Sequence, residues 1–292
     1  MRGTLLAGAL AIVSVLTTLG VAKEKEKDRT VNGDWAPKDI DQAVPRADLS
    51  HPCPLPALLD ETSRQVRKLV ENLQQFSAHE KLEYGEVDDA GRPQSARSVM
   101  FTYVANIREV WPGQFTVEEY RNDSLSLHSF PSHLATTGTA AFALIFHPYY
   151  IGDFDVSCEG LTKIDGRPAW QVHFAQRSDR NNNFRGYRVD TAFYPIQLKG
   201  RAWISPDSHE ILRLETDLLH PVPRIRLRRE HVVVEYGPVR FPHHDLSLWL
   251  PKNATIYMDY RRHRYFHNHS FTDYQLFWVD TAQDDGKLLC GR

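Results

Sequence analysis

The hydrophobic residues between Leu55 and Phe76 recur at steps of three and four positions. This spacing predicts an amphipathic helix, because residues three and four apart lie on the same side of a helix. The other side of the predicted helix is rich in charged residues, so only one side can be buried. A helix of this kind must lie against other apolar surface.

After Phe76 the hydrophobic period changes to two. Val99, Phe101 and Tyr103 alternate with polar residues, and similar alternation recurs through most of the second half of the chain. Alternation predicts half-buried strands, here about ten or eleven in antiparallel order. The alternation changes phase between Ile225 and Tyr236, which predicts a β-bulge or a sharp bend near Arg229.

One apolar segment, from His133 to Phe146, interrupts the strands. It predicts a second helix that ends before Pro148, since the residue before a proline disfavours helical geometry. The run Ala140–Phe146 contains no charged residue, so this helix should be buried on most sides.

The element order predicts an α+β fold, and the lack of strand–helix alternation argues against a doubly wound α/β fold. A single sheet of about ten strands should curl. The concave face of a curled sheet needs an apolar cover, and the segment Ala140–Phe146 supplies it with the first helix beside it.

The N-terminal region has the layout of an export signal. A positive start at Arg2 precedes an uncharged apolar stretch, which predicts a signal peptide over residues 1–22. An uncleaved anchor is the alternative, since the stretch reaches the ~20 residues that span a bilayer. Residues 23–52 are polar and predict a flexible leader. One domain is expected over 53–285, with a tail at 286–292, in a periplasmic or secreted protein.

Three cysteines remain for an oxidising compartment: Cys53, Cys158 and Cys290. We expect a disulfide between Cys53 and Cys158, because Cys290 lies in a terminal segment that should fray. Three free thiols are the alternative.

The charge is nearly balanced, with 35 basic and 37 acidic residues. No bulk field therefore favours nucleic acid as a partner. Arg224, Arg226 and Arg228 are spaced to form a basic stripe on one strand face, which could meet an anionic envelope surface. The alternative is a charged outer face that discourages edge pairing.

No sequence motif indicates catalysis or a cofactor. A nucleophile elbow, a phosphate-binding glycine loop, a dinucleotide fingerprint and a His-Glu-x-x-His motif are all absent from the sequence. The best metal candidates are His263, His267 and His269, which share a face of a strand, but a solvated face of arginine and histidine is the preferred interpretation. The sequence therefore predicts no enzyme, no cofactor and no metal.

A local motif resembles a known superfamily. Gly200 to Asp207 reads Gly-Arg-Ala-Trp-Ile-Ser-Pro-Asp and is followed by an apolar strand that contains Arg213. This is similar to a segment of the periplasmic lipoprotein carrier and sorting (LolA-like) superfamily, with Ser205 where an aspartate is usual. The segment Cys-Pro-Leu-Pro that begins at Cys53 and the segment Cys-Glu-Gly-Leu that begins at Cys158 also resemble segments of exported bacterial proteins of uncharacterised function.

The resemblance implies a strongly curved, incompletely closed antiparallel β-barrel whose concave face is covered by two helices. It also implies a ligand: a lipid or a lipoprotein acyl chain held between sheet and helices by hydrophobic transfer. The alternatives are a non-catalytic envelope interaction domain with a filled core and, less favoured, a hydrolase or metal enzyme that uses histidine and aspartate. The candidate lining residues are Phe101, Tyr103, Phe142, Ile145, Trp170, Phe174, Trp203 and Leu214.

Overall fold

The structure is a computed structural model that describes residues 35–72, 76–88, 90, 92–122, 138–180, 185–189, 191–241 and 245–276. All of them belong to one compact unit, Val31–Arg292. The signal-peptide segment 1–22, residues 23–34 of the leader and the tail 286–292 lie outside the described residues. Among the helices within the described ranges, none has both the length and the apolar character needed to cross a bilayer.

The described chain is mostly β-structure. Helix α1 spans Leu55–Asn72, and an eight-residue 3₁₀ helix, here called the plug helix, spans Thr139–Phe146. Two further 3₁₀ turns are Ile151–Asp153 and Pro223–Ile225. The strands are β1 (Phe76–Val87), β2 (Pro93–Trp111), β3 (Gln114–Arg121), β4 (Phe154–Ile164), β5 (Arg167–Gln176), β6 (Gly186–Val189), β7 (Ala192–Pro195), β8 (Leu198–Ile204), β9 (Ile211–Leu218), β10 (Leu227–Phe241), β11 (Leu246–Tyr260) and β12 (His263–Leu276).

Ten of these strands form one antiparallel sheet in the order β3-β2-β1-β12-β11-β10-β9-β8-β5-β4, and β6 and β7 form a separate hairpin. The predicted antiparallel sheet and its size are confirmed. The sheet curls but stays open, since β3 and β4 are its two edges and do not pair with each other. The barrel is therefore confirmed only in part.

Helix α1 forms where the three-and-four spacing predicts it. Its buried side includes Leu58 and Val66, which pack in the main core with the plug helix and the inner face of the sheet. The helix ends earlier than expected, at Asn72, and Phe76 is the first residue of β1. Phe76 lies on the inward face of β1. An apolar residue there fits both the helical spacing before it and the strand alternation after it.

The plug helix covers the concave face of the sheet. All eight of its residues are buried, as expected for a segment without a charged side. Its last residue, Phe146, packs edge-on against Phe174 of β5, with ring centroids 5.6 Å apart. The prediction of a second buried helix is confirmed for this part, whereas residues 133–137 lie outside the described residues.

Gly200 of β8 allows this contact. A Cβ atom at Gly200 would lie 2.2 Å from Cζ of Phe174 and 2.5 Å from the backbone oxygen of Glu215. Only a residue without a side chain leaves room for the ring, so the glycine that opens the sequence motif has a packing reason.

The segment from Trp35 to Pro52 lies against the convex face of the sheet, in contrast to the expectation of a polar leader outside the core. Ile40 is 1% exposed. Its backbone nitrogen donates to Oδ2 of Asp217 (2.9 Å), and its carbonyl accepts from Nη1 of the buried Arg201 (2.9 Å). Lys199 adds an ion pair to Asp39 at 2.7 Å. We call residues 35–52 the strap.

The three arginines of the predicted stripe do not share a strand face. Arg224 belongs to the 3₁₀ turn Pro223–Ile225, and Arg226 follows it with a left-handed φ of 58°. Only Arg228 is in β10, so the stripe prediction was wrong. The prediction of a bulge is confirmed, because the pairing of β10 with β11 shifts register between Leu227 and Arg229.

The predicted disulfide is present. Cys53 and Cys158 are bonded across a sequence separation of 105 residues and tie the chain before α1 to β4. Cys290 lies outside the described residues.

Replacing both bonded cysteines, Cys53→Ala with Cys158→Ala, should lower the free energy of unfolding by about 2–5 kcal/mol, because the unfolded chain is no longer cross-linked. Urea denaturation of the oxidised proteins measures this, and alkylation before reduction should label one thiol in the unmodified chain. Three labelled thiols would show that the bond does not form.

The strap should contribute to stability through Ile40. The substitution Ile40→Ala removes a fully packed side chain and should cost about 2–5 kcal/mol. Val44→Ala is the matched control in the same segment, since Val44 is 56% exposed and its truncation should change stability by less than about 0.5 kcal/mol. Equal, small losses for both variants would mean that the strap does not dock in solution.

Candidate functional site

The structure buries all eight of the residues predicted to line a ligand site. Five of them share one core cluster between the sheet, α1 and the plug helix: Phe142, Ile145, Trp170, Phe174 and Leu214. These side chains fill the interior by packing against one another, so they are core residues in this structure.

The other three lie in separate clusters. Tyr103 packs in a second cluster with Phe76 and Phe271, and Phe101 packs in a third. Trp203 is on the convex face, where its Nε1 donates to Oε1 of Gln171 (3.2 Å). The expectation that it faces the concave side was wrong, because Trp203 shares the alternation of Arg201 and not that of its inward neighbours.

A small cavity lies between α1 and the sheet. The cavity there has a volume of only about 10 Å³, and its lining includes Val66, Glu210 and Tyr236. Burial raises the pKa of Glu210 to about 7, against a smaller opposing effect from Lys68. This volume holds at most about one water molecule, and the predicted lining residues of the main core cluster pack against one another beside it.

A larger cavity lies at the open rim of the sheet. Its volume is about 380 Å³, and we call it the rim cavity. Three elements enclose it: edge strand β3, the start of the plug helix and the β6–β7 hairpin. Its described lining consists of Val117, Glu119, Gly138, Ala141, Phe142, Arg185, Gly186, Arg188 and Phe193. The volume falls within the range of about 300–1,000 Å³ typical of ligand pockets.

Arg185 anchors the hairpin to the sheet at this cavity. Its Nη2 donates to Oε1 of Glu230 (3.0 Å), and its guanidinium lies 4.3 Å from the ring centroid of Phe142. Glu230 is 1% exposed and also accepts a hydrogen bond from the hydroxyl of Tyr187. Burial and the Glu230 charge hold the Tyr187 pKa well above its usual value. Arg185 is therefore a structural cation.

Gly138 lets the chain enter the plug helix beside this arginine. Its φ is 83°, in the left-handed region, and a Cβ atom there would lie 3.3 Å from Nη1 of Arg185. Both the backbone angle and the close approach favour glycine.

Two further charges face the rim cavity. Arg188 is exposed, and among the described residues it has no ion pair. Glu119 accepts a hydrogen bond from the hydroxyl of Tyr103 (2.7 Å), so it is partly engaged on the inner side. The cavity thus combines an apolar floor with one accessible cation at its mouth.

Beyond Tyr103 lies a buried polar group that we call the inner charge cluster: Glu80, Arg121 and His269. Arg121 donates to both carboxylate oxygens of Glu80 (2.5 and 2.8 Å), and Nδ1 of His269 lies 2.6 Å from Oε1. Burial alone raises the Glu80 pKa, but the hydrogen bonds from His269 and Arg121 outweigh it and lower that pKa to about 2.

The expectation of a solvated histidine face on β12 was wrong. His267 and His269 are both 0% exposed, whereas His263 is at the exposed start of the strand. Burial, with smaller effects from His269 and Arg121, lowers the His267 pKa to about 3, so His267 is neutral at physiological pH. Within the described ranges, no group of three or more His, Cys, Asp or Glu side chains could hold a metal ion.

No family model matches this chain, and no curated protein matches it. Similar solved structures include a DUF1329 family protein from Desulfovibrio piger. It is 9% identical, with a TM-score of 0.44, and the match covers 79% of this chain and 95% of that one.

A domain from Vibrio parahaemolyticus described as an outer membrane lipoprotein-sorting protein is 10% identical, with a TM-score of 0.40 and coverage of 74% and 91%. Lipoprotein LppX of Mycobacterium tuberculosis is 12% identical, with a TM-score of 0.24 and coverage of 77% and 99%. A lipoprotein-sorting domain is thus among the similar solved structures.

The inner charge cluster should make stability depend on Glu80. Glu80→Gln leaves Arg121 without its buried partner and should cost about 3–5 kcal/mol at pH 7. Because the folded pKa of Glu80 is about 2 and the ordinary pKa of a glutamate is 4.5, its contribution to stability is present above pH 4.5 and is lost as the pH falls towards 2.

Denaturation as a function of pH tests this. The difference between the unmodified chain and Glu80→Gln should narrow from pH 4.5 to pH 2. Glu83→Gln on the same strand is the matched control, since its side chain is 41% exposed and its loss should be small. If Glu80→Gln lowers the free energy of unfolding only slightly, or by the same amount at every pH, Glu80 does not stabilise the fold as a buried carboxylate.

Proposed function

We propose that the protein is an exported, non-catalytic carrier or sensor that binds the apolar chain of an amphiphile in the rim cavity. The observation that carries the proposal is the cavity itself: about 380 Å³ at the open edge of the sheet, next to the plug helix. This volume, beside the plug helix, is large enough to hold part of an acyl chain.

The lining supports an amphiphile in particular. Val117, Ala141, Phe142 and Phe193 offer apolar contact. Each methylene buried against them contributes ~0.8 kcal/mol, so about five buried methylenes supply roughly 4 kcal/mol, equivalent to about millimolar affinity. Arg188 at the mouth suits an anionic end group, because its charge is exposed and has no ion pair among the described residues.

Binding, and not a reaction, is what this lining supports. The described lining contains no serine, cysteine, threonine or histidine that could act as a nucleophile or base. Its other two charged side chains are half-buried and partnered, with Arg185 on Glu230 and Oε1 of Glu119 on Tyr103. The disulfide and the apolar N-terminal stretch support export to an oxidising compartment.

A filled-core interaction domain is the second candidate. The observation that favours it is the small volume, about 10 Å³, that remains between α1 and the sheet. In that case the concave face serves only stability, and partners would meet the outer surface. The two candidates differ in whether a soluble amphiphile binds.

Filling the rim cavity should abolish ligand uptake. Val117 lines it from β3, so Val117→Trp should lower the affinity for a fluorescent fatty acid at least tenfold, equivalent to about 1.4 kcal/mol. Glu118→Trp is the matched control, because Glu118 is the exposed neighbour on the same strand. Fluorescence titration measures both affinities, and native mass spectrometry of the purified chain detects any lipid that remains bound.

The outcome separates the two candidates. Uptake that Val117→Trp weakens and Glu118→Trp preserves supports the rim cavity. No uptake by the unmodified chain, together with no copurified lipid, favours the filled core. Uptake that is equal in both variants, with unchanged circular dichroism, places the ligand elsewhere and contradicts the proposal.

A further inference from the structure

A second cavity, of about 430 Å³, lies where three loops of the sheet meet. One wall is formed by the end of β5 and the loop after it, another by the connection from β7 to β8, and the third by the connection from β9 to β10. We call it the loop cavity, and its described lining is Gln176, Arg180, Pro195, Ile196, Gln197, His220, Pro221, Val222, Pro223 and Arg224. It shares no described lining residue with the rim cavity.

Every ionisable side chain in this lining is basic: Arg180, His220 and Arg224. Each is exposed, and none has an ion pair among the described residues. The neighbouring Asp179 forms its ion pair with Arg177, whose guanidinium donates to its two oxygens at 3.0 Å each. Cationic groups gathered around a concavity raise the local concentration of anions.

The rest of the lining is apolar or neutral, and it is held in place. Pro195, Pro221 and Pro223 have fixed φ angles, which restricts the loops that carry the charges. Ile196 is 2% exposed, and Oε1 of Gln176 accepts from the backbone nitrogen of Leu198 (3.3 Å). That bond leaves the amide NH₂ group of Gln176 as a further hydrogen-bond donor in the wall. A wall with few free torsions loses little entropy when a ligand binds.

We propose that the loop cavity binds the phosphate group of an organic phosphate. The two guanidinium groups of Arg180 and Arg224 suit this ligand, since arginine matches phosphate oxygens with paired hydrogen bonds. A dianion fits a described lining that carries two arginine charges and no negative one. The volume greatly exceeds that of a bare ion, so the proline and isoleucine walls contact the organic part.

The phosphate can belong to a soluble phosphomonoester or to a phospholipid headgroup, and the test has an arm for each. In the soluble arm, phenyl phosphate is titrated into the purified chain by calorimetry, with inorganic phosphate and benzoate as comparisons. In the lipid arm, the chain is sedimented with phosphatidylcholine vesicles with and without phosphatidic acid.

We expect saturable binding of phenyl phosphate that is tighter than that of benzoate. Arg180→Gln and Arg224→Gln should each weaken it at least tenfold. Arg226→Gln is the matched control, because it removes the same charge two residues from Arg224 at a side chain that does not line the cavity. Unchanged thermal unfolding of the three variants shows that they fold.

The remaining outcomes are decisive. Sedimentation with phosphatidic acid that Arg180→Gln and Arg224→Gln abolish, without phenyl phosphate binding, assigns the phosphate to a lipid. No binding in either arm overturns the site. If Arg226→Gln weakens phenyl phosphate binding as much as the other two variants, the binding is general charge attraction and the site is overturned. If benzoate binds as tightly as phenyl phosphate, the preference for phosphate is overturned. Val117→Trp should bind phenyl phosphate normally, so this proposal and the rim-cavity proposal fail independently.

Discussion

The inner face of a wide curled sheet must be covered, and in this protein the plug helix and α1 together cover it. Ten strands turn their apolar residues to one side, where water would otherwise meet a continuous apolar surface. The contact that fixes the helix runs from Phe146 to Phe174 and depends on Gly200, whose missing side chain leaves room for the Phe174 ring. Helix α1 packs beside the plug helix, and the rim cavity lies next to its start.

The convex face is covered by different means. The strap buries one large apolar side chain, Ile40, and otherwise binds through hydrogen bonds and ion pairs to Asp217, Arg201 and Lys199. The disulfide then holds the chain between the strap and α1 to β4. With both broad faces covered in this way, the accessible concave surfaces of the described chain lie at the rim and among the loops.

Periodicity predicts what depends on neighbouring residues. It predicts α1, the antiparallel strands, the buried plug and the bulge near Arg229, because each is a local pattern. The face of the sheet on which Trp203 lies could also be predicted. Trp203 and Arg201 are two residues apart on β8, so their side chains lie on the same face, opposite to that of Ala202. The burial of His267 and His269 was not, because it arises when β12 pairs with β1, nearly the whole domain away in sequence. The rim cavity depends on where β3, the plug helix and the hairpin meet, and the loop cavity depends on contacts between loops. No periodic pattern predicts either arrangement.

A ligand that entered the filled core would have to displace the plug helix, and the energies argue against this. Expelling Phe142, Leu144, Ile145 and Phe146 exposes four large side chains at ~1.5–3 kcal/mol each, roughly 6–12 kcal/mol together. That is comparable with the whole stability of a typical domain, about 5–15 kcal/mol. A ligand at the rim exposes none of these residues. Reversible exchange therefore favours the rim cavity, where an apolar chain can bind beside the plug helix while the core stays closed.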